Sequence, residues 1–334
     1  MQRRQFITLL GGAAAAWPLA ARAQQPSGRV RRIGALIGGD ESDADRQATV
    51  AAFRKALQDL GWTEGRNLRI DWRWAANDAN RARTYAAELV ALNPDLLFGD
   101  NSFVVRELQQ ATRTLPIIFA RTTDPVRAGF VGSLARPGGN ITGFADRETS
   151  SLGKLAEFLK EVAPQVTRVA LITSTITGSG LDNRPLALEV ASAASSLGLR
   201  PNIVDVHGNT GEIQDTIVAL AKEPNGGLII VSGPFILFHR KLVIELAARH
   251  KLPAVYSHSI YTRDGGLLSY AVDRDDQYRG AAGYVDRILK GAKPADLPVQ
   301  QPIKYHFVLN MKTAKALGLD IPLKLHAFAD EVIE

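Results

Sequence analysis

The 334-residue chain has no cysteine. That excludes disulfides, thiolate catalysis, Cys-ligated zinc, iron–sulfur clusters and the lipidated cysteine of a bacterial lipoprotein. Histidine is scarce: the six, at 207, 239, 250, 258, 306 and 326, form no close metal-ligand pair. Enzyme signatures are missing too, with no G-x-S-x-G elbow, no P-loop, no H-E-x-x-H and no G-x-G-x-x-G. Gly34 to Gly39 occupies the first-strand position of a dinucleotide site, but its glycine spacing is wrong. No cofactor is expected. Asp273-Arg274-Asp275-Asp276 lacks the downstream glycine and glutamate of a calcium loop and reads as a solvated helix start. Asn140-Ile141-Thr142 is a formal glycosylation sequon whose plainer reading is a turn.

An excess of positive charge is also lacking. The formal charge is +6, but Arg3, Arg4 and Arg22 fall in an N-terminal leader. Removing those three from 40 basic residues leaves 37 against 34 acidic ones, a net +3 and no nucleic-acid footprint. The leader itself has a basic start, an apolar stretch from Phe6 to Ala20 and the small-x-small site Ala21-Arg22-Ala23. Residues 1–23 therefore read as an export signal, with a mature chain starting at Gln24 in the periplasm. The stretch is shorter than the ~20 residues a membrane span needs, and Pro18 interrupts it. Arg3-Arg4-Gln5-Phe6-Ile7 resembles a twin-arginine signal, although Gln2 departs from that pattern, so both export routes stay open.

After Gln24, apolar runs alternate with helical periodicity, the signature of parallel sheets with crossover helices. Strands are predicted at 32–37, 67–74, 96–98 and 117–119, with helices at 50–60, 81–92 and 102–111, giving a β-α unit repeated four times. The segment Arg136-Pro137-Gly138-Gly139-Asn140 separates this half from a second. There the pattern predicts helices at 152–162, 186–197, 212–221 and 236–249, and strands at 169–172, 202–206, 228–231, 254–256 and 267–270. A helix over 277–290, a proline-rich linker over 294–302, a last strand over 303–309 and a last helix over 311–317 complete it. The length suits two domains. Two similar α/β lobes in one exported chain is the organisation of a hinged binding protein.

Several runs carry a family resemblance. They include Gly61-Trp62-Thr63-Glu64-Gly65-Arg66-Asn67, Asp124-Pro125-Val126-Arg127-Ala128-Gly129, Arg136-Pro137-Gly138-Gly139-Asn140-Ile141-Thr142-Gly143 and Gly265-Gly266-Leu267-Leu268-Ser269-Tyr270. In these the chain resembles substrate-binding proteins of ABC uptake transporters, in the tryptophan/tyrosine-binding-like group. The resemblance implies two Rossmann-like lobes with parallel sheets joined by a multi-crossing hinge, a class I periplasmic-binding-protein fold. It implies an N-lobe of 29–143 plus 271–298 and a C-lobe of 144–270 plus 299–334. It further implies a monomer that binds a small-molecule ligand, an amino acid or an aromatic or apolar carboxylate. Its partners would be an ABC permease in the inner membrane and that permease's cytoplasmic ATPase. A sensor that presents its ligand to a membrane receptor is the alternative, and an exported two-lobed enzyme a more distant one.

In doubly wound sheets ligands bind at the carboxyl ends of strands. In the N-lobe that rule nominates Gly39 and Asp40 after the first strand, Asp100, Asn101 and Ser102 after the third, and Arg121, Thr122 and Thr123 after the fourth. In the C-lobe it nominates Thr173, Ser174 and neighbouring Thr175, then Ser232, Phe235 and His258. Asn101 and Ser102 begin a helix, where free N–H groups favour an anion or serve as an ordinary cap. Arg121 is a candidate carboxylate clamp, or else the partner of Asp124 or Asp100 in an ion pair. Phe235 and Tyr256 are candidate apolar walls, with core packing the other role for Tyr256. Asp273, beside the expected hinge, is a candidate acceptor for a ligand ammonium, or a structural hinge residue.

Overall fold

The computed structural model describes residues 29–146, 152–174, 184–231 and 233–334. The leader over 1–23, Thr175 and Ser232 lie outside them. The first half builds β1 (Arg31–Ile37), α1 (Ala44–Asp59), β2 (Leu68–Trp74), α2 (Ala79–Ala91), β3 (Leu96–Gly99), α3 (Ser102–Ala111), β4 (Ile117–Thr122) and β5 (Ile141–Ala145). These form a five-stranded parallel sheet ordered β2-β1-β3-β4-β5. In β1, Ile33, Ala35, Leu36 and Ile37 are all buried, as expected of a strand covered by helices on both faces.

The fourth repeat departs from expectation. No helix follows β4; turns lead directly to β5, a strand the periodicity did not reveal because Gly139, Asn140 and Gly143 read as a turn. Gly143 is there for space. A Cβ at this position would lie 2.1 Å from the Phe119 carbonyl oxygen, so only glycine lets β5 close on β4.

The second half contributes α4 (Gly153–Val162), β6 (Arg168–Ser174), α5 (Arg184–Ser196), β7 (Arg200–Val206), α6 (Thr210–Ala221) and β8 (Gly226–Val231). Next come α7 (Pro234–Phe238), α8 (Arg240–Arg249), β9 (Ala254–Tyr256), α9 (Ser259–Arg263) and β10 (Leu268–Val272). The helix expected over 236–249 is thus two helices, broken at His239, which caps both. After α10 (Arg274–Leu289) the chain forms β11 (Tyr305–Asn310), α11 (Met311–Leu317), α12 (Leu323–Phe328) and β12 (Glu331–Ile333). The short elements α9, α12 and β12 escaped the periodicity, so α11 is not the last helix nor β11 the last strand. The second sheet runs β12-β11-β10-β9-β8-β6-β7, parallel except where β10 meets β11. No described helix is long and apolar enough to cross a membrane.

The chain returns to the first sheet after building most of the second. Helix α10 packs there: Tyr278 lies edge-on to Phe53 and Phe98, whose rings stack at 4.6 Å. Residues 297–300 then run beside β5, with the Gln300 N–H donating to Gly143 O and the Ala145 N–H to Gln300 O, 2.9 and 2.8 Å. The Thr142 hydroxyl donates to Leu297 O at 2.5 Å. Three crossings join the sheets, after β5, between β10 and α10, and ahead of β11.

Candidate functional site

The carboxyl ends of β1, β3, β4 and β5 place a charged cluster on the first sheet. Asp100, fully buried, follows β3 and accepts from the Gly38 N–H and from Arg46 Nη1, both at 2.7 Å. Arg46 projects from the first turn of α1, whose start Asp43 caps through the Asp45 and Arg46 N–H groups. The loop after β1 is fitted round this pair. A Cβ on Gly39 would lie 2.0 Å from Arg46 Nε, and one on Gly38 would lie 2.3 Å from Asn101 Nδ2. Asn101 caps α3, accepting from the Val104 N–H at 3.2 Å. Ser102 Oγ accepts from the Thr123 N–H at 3.0 Å, tying the ends of β3 and β4 together.

Arg121 is the residue the backbone treats most unusually. The β4–β5 register shifts between Ala120 and Thr122, leaving Arg121 as the extra residue with φ +57°. Its side chain is only 14% exposed, and its Nε lies 4.0 Å from Asp146 Oδ1, outside hydrogen-bond range. Burial opposes its charge, but Asp146 and then Tyr278, Asp100 and Asp45 outweigh it and hold the pKa above the ordinary arginine value. The acid beside Arg121 is therefore Asp146, which neither sequence alternative named. Asp124 faces Arg127 at 3.6 Å, and Asp100 is held by Arg46.

A second, half-buried pair completes the cluster. Arg274, the first residue of α10, meets Asp45 Oδ2 at 2.5 Å. Burial and the neighbouring Arg121 push its pKa down to about 9, so it stays protonated at neutral pH. The stretch 273–276 is thus more than a solvated helix start. Asp273 caps α10 by accepting from the Asp276 N–H at 3.0 Å, and it faces Arg279 at 3.3 Å. Burial, then Asp100, pushes Tyr278 up to about 12, leaving it a neutral phenol. Asp40 is exposed, and its carboxylate, accepting from the Ser42 hydroxyl and N–H, is held below the usual carboxylate range.

The second sheet presents a less charged edge. Thr173 and Ser174, at the end of β6, are buried, as is Thr122 opposite. His258 is buried after β9; its Nδ1 accepts from the Ile260 N–H at 3.2 Å and so caps α9, while its Nε2 lies 4.0 Å from Asp45. That contact spans the space between the two sheets. Phe235 is half-buried against the His239 ring at 4.5 Å, and Tyr256 stacks on Tyr261 at 4.7 Å within the core. Burial raises the Tyr256 pKa. Tyr256 is therefore core packing, not a cleft wall. A cavity of about 630 Å³ lies at the amino ends of β6 and β7, away from the meeting strand ends, and one of about 590 Å³ lies on edge strand β2 beside Asp40, Glu41 and Ser42 of the loop after β1.

Sequence reasoning missed Asp45, Arg46, Asp146 and Arg274. For Asp45 and Arg46 a signal existed: Asp43 is a helix cap, and reading it would have started α1 before Val50. Asp146 follows a strand that periodicity hid. Arg274 had no local signal, because its partner is 229 residues away.

Comparison with known proteins decides the family. A profile described as ABC transporter substrate binding protein matches residues 38–333. The chain belongs to that family. A curated relative is the Tyrosine-binding protein of Clostridioides difficile (strain R20291), 27% identical over 273 residues, which are 80% of this chain and 75% of that one. A solved ABC domain from Streptococcus pneumonia in complex with L-Trp is 27% identical, with TM-score 0.78, covering 91% of this chain and 100% of that one. GanP, a glucose-galactose binding protein from Geobacillus stearothermophilus, is 12% identical with TM-score 0.60 over 84% of this chain and 98% of that one. That likeness is one of fold alone. The substrate-binding family thus has the class I two-lobed architecture here, with one α/β sheet at the centre of each lobe, parallel but for the β10–β11 pair of the second.

Proposed function

We propose that this chain is the extracytoplasmic solute receptor of an ABC uptake system. It captures a small organic ligand, an amino acid or an aromatic or apolar carboxylate, between its lobes and closes on it. Its lobes are taken as 29–143 with 271–298 and 144–270 with 299–334. The observation that carries this reading is the meeting of two sets of strand ends, with Asp45 of α1 4.0 Å from His258 of the other sheet. Ligand contacts come from Gly39, Asn101, Ser102, Arg121, Thr122 and Thr123 on one side and Thr173, Ser174, Ser232, Phe235 and His258 on the other. Asp100 and Asp273 act by holding the loop after β1 and the hinge helix. Relatives named for tyrosine and bound to L-Trp support a ligand with an aromatic part.

Ligand binding shifts the population toward the closed form, which docks on a membrane permease while an ATPase supplies the energy. The protein itself does no chemistry and works as a periplasmic monomer, its leader removed near Ala23. Denaturing the mature protein, purified without added ligand, and identifying released compounds by mass spectrometry tests this. The expected result is one stoichiometric small molecule that, added back, raises the melting temperature and reduces the radius of gyration in solution scattering. A protein that releases nothing and is stabilised by no amino acid or organic acid is not a solute receptor of this kind.

A further inference from the structure

Three arginines enter the cluster at the strand ends, and their situations differ. Arg46 has its acid at 2.7 Å in Asp100, and Arg274 has its acid at 2.5 Å in Asp45. Among the described residues Arg121 alone of the three has no hydrogen-bonded acid: its Nε is shielded from solvent with no hydrogen-bond partner there, and Asp146 stands off at 4.0 Å. A buried guanidinium left this way forgoes charge-assisted hydrogen bonds that the other two make.

The backbone adds an independent sign. Arg121 is held at φ +57° by a bulge, a conformation that strains a non-glycine residue, and such strain concentrates at ligand clamps. The loop that follows is tied down by the Thr123-to-Ser102 hydrogen bond and turns again at Asp124, φ +41°. Arg121 is therefore aimed, not merely tolerated. Asp146 is the first residue after β5, and its N–H donates to Thr122 O at 2.9 Å, so it stands where the chain leaves the first sheet for the second.

Resting on the solute-receptor reading, we propose that Arg121 is the specificity-determining receptor for an oxyanion group of the ligand, a carboxylate, and that Asp146 is its resident counter-ion. On binding, the ligand carboxylate takes the hydrogen bonds of the Arg121 fork and relieves Asp146 of its screening role. One carboxylate replaces another beside the guanidinium, so the buried charge stays compensated in both states. The exchange acts on the residue at the crossing between sheets, which couples ligand capture to the hinge.

The test uses the full mature protein and matched probes on phenyl, 4-hydroxyphenyl and indolyl scaffolds: the propanoate, its primary amide, the α-amino acid and the amine lacking a carboxylate. Calorimetry and thermal shift are read for wild type, Arg121→Gln, Arg121→Lys and Asp146→Asn. Within the scaffold that binds, the carboxylate-bearing probes are expected to bind at least about 30-fold more tightly than the amide or the amine, as loss of a charge-assisted pair implies. R121Q removes that preference, R121K keeps part of it, and D146N tightens carboxylate binding several-fold. Circular dichroism and the unliganded melting temperature show whether each variant folds; if R121Q does not, R121K and the wild-type probe series decide. An amide that binds as tightly as its acid, or a folded R121Q with unchanged carboxylate affinity, overturns the role of Arg121 while leaving the receptor reading intact. No shift with any probe on any scaffold, together with no ligand released on denaturation, overturns both.

Discussion

The two faces that meet between the sheets are built on different principles. The first sheet's strand ends and the adjoining start of α1 carry Asp45, Arg46, Asp100, Arg121 and Asp146, a half-buried network with fully buried Asp100 at its centre. The second sheet's described strand ends carry Thr173, Ser174 and His258, with Phe235 nearby. A buried charge must be paired and hydrogen-bonded, so a charged face is rigid and its geometry over-determined. A face of hydroxyls and rings is under no such constraint and can adapt. The comparison suggests a fixed half that orients a ligand's polar group and an adaptable half that accommodates the remainder.

Breaking the fixed half at its centre has the largest expected effect. Asp100→Ala leaves Arg46 without its acid and the Gly38 N–H without its acceptor, a loss of about 3 kcal/mol in denaturant unfolding. Ligand binding is lost with it. Asp100→Asn keeps an acceptor for Gly38 and falls between. Next comes Gly39→Ala, whose Cβ would displace the Arg46 side chain from Asp100. About 2 kcal/mol of destabilisation is expected from such overpacking, and Asp100→Asn/Gly39→Ala should cost less than the sum of the single changes, which a double-mutant cycle measures.

Acid sharpens the comparison by acting on carboxylates away from the strand-end cluster, the exposed Asp40 aside. Hydrogen bonding to Arg32 holds Asp71, on edge strand β2, below the usual carboxylate range; bonding to Arg263 does the same for Glu331 on β12. A carboxylate whose folded pKa is depressed contributes stability that is present above the unfolded value of about 4 and is lost as pH falls through the folded one. Unfolding stability should therefore fall below about pH 4, and Asp71→Asn and Glu331→Gln should each flatten that decline. A steep decline unchanged in both variants would place the acid-sensitive groups elsewhere.

The smallest effect belongs to the adaptable half. Thr173 is buried and its hydroxyl has no hydrogen-bond partner among the described residues. Thr173→Val should change stability by less than about 1 kcal/mol, toward the variant, because an unsatisfied hydroxyl leaves a buried site. A large loss would mean that the second face is as over-determined as the first.

Much of this was legible in the chain. Helix 102–111 and strand 254–256 coincide with α3 and β9, because Val104, Val105 and Leu108, or Ala254 to Tyr256, bury faces that the local pattern announces. Arg121 could be placed at a strand end for the same reason. Its bulge and its neighbour Asp146 could not, since both depend on β5, whose glycines imitate a turn. Sequence by itself determined the alternation of strands and helices, and with it the loops at the strand ends, because burial periodicity is a property of consecutive residues. Tertiary structure decided the antiparallel pairing of β10 with β11, the return of α10 to the first sheet and the partners of each buried arginine. Those depend on groups brought together from 54 and 229 residues apart, and no local pattern encodes which distant charge will neutralise another once water is excluded.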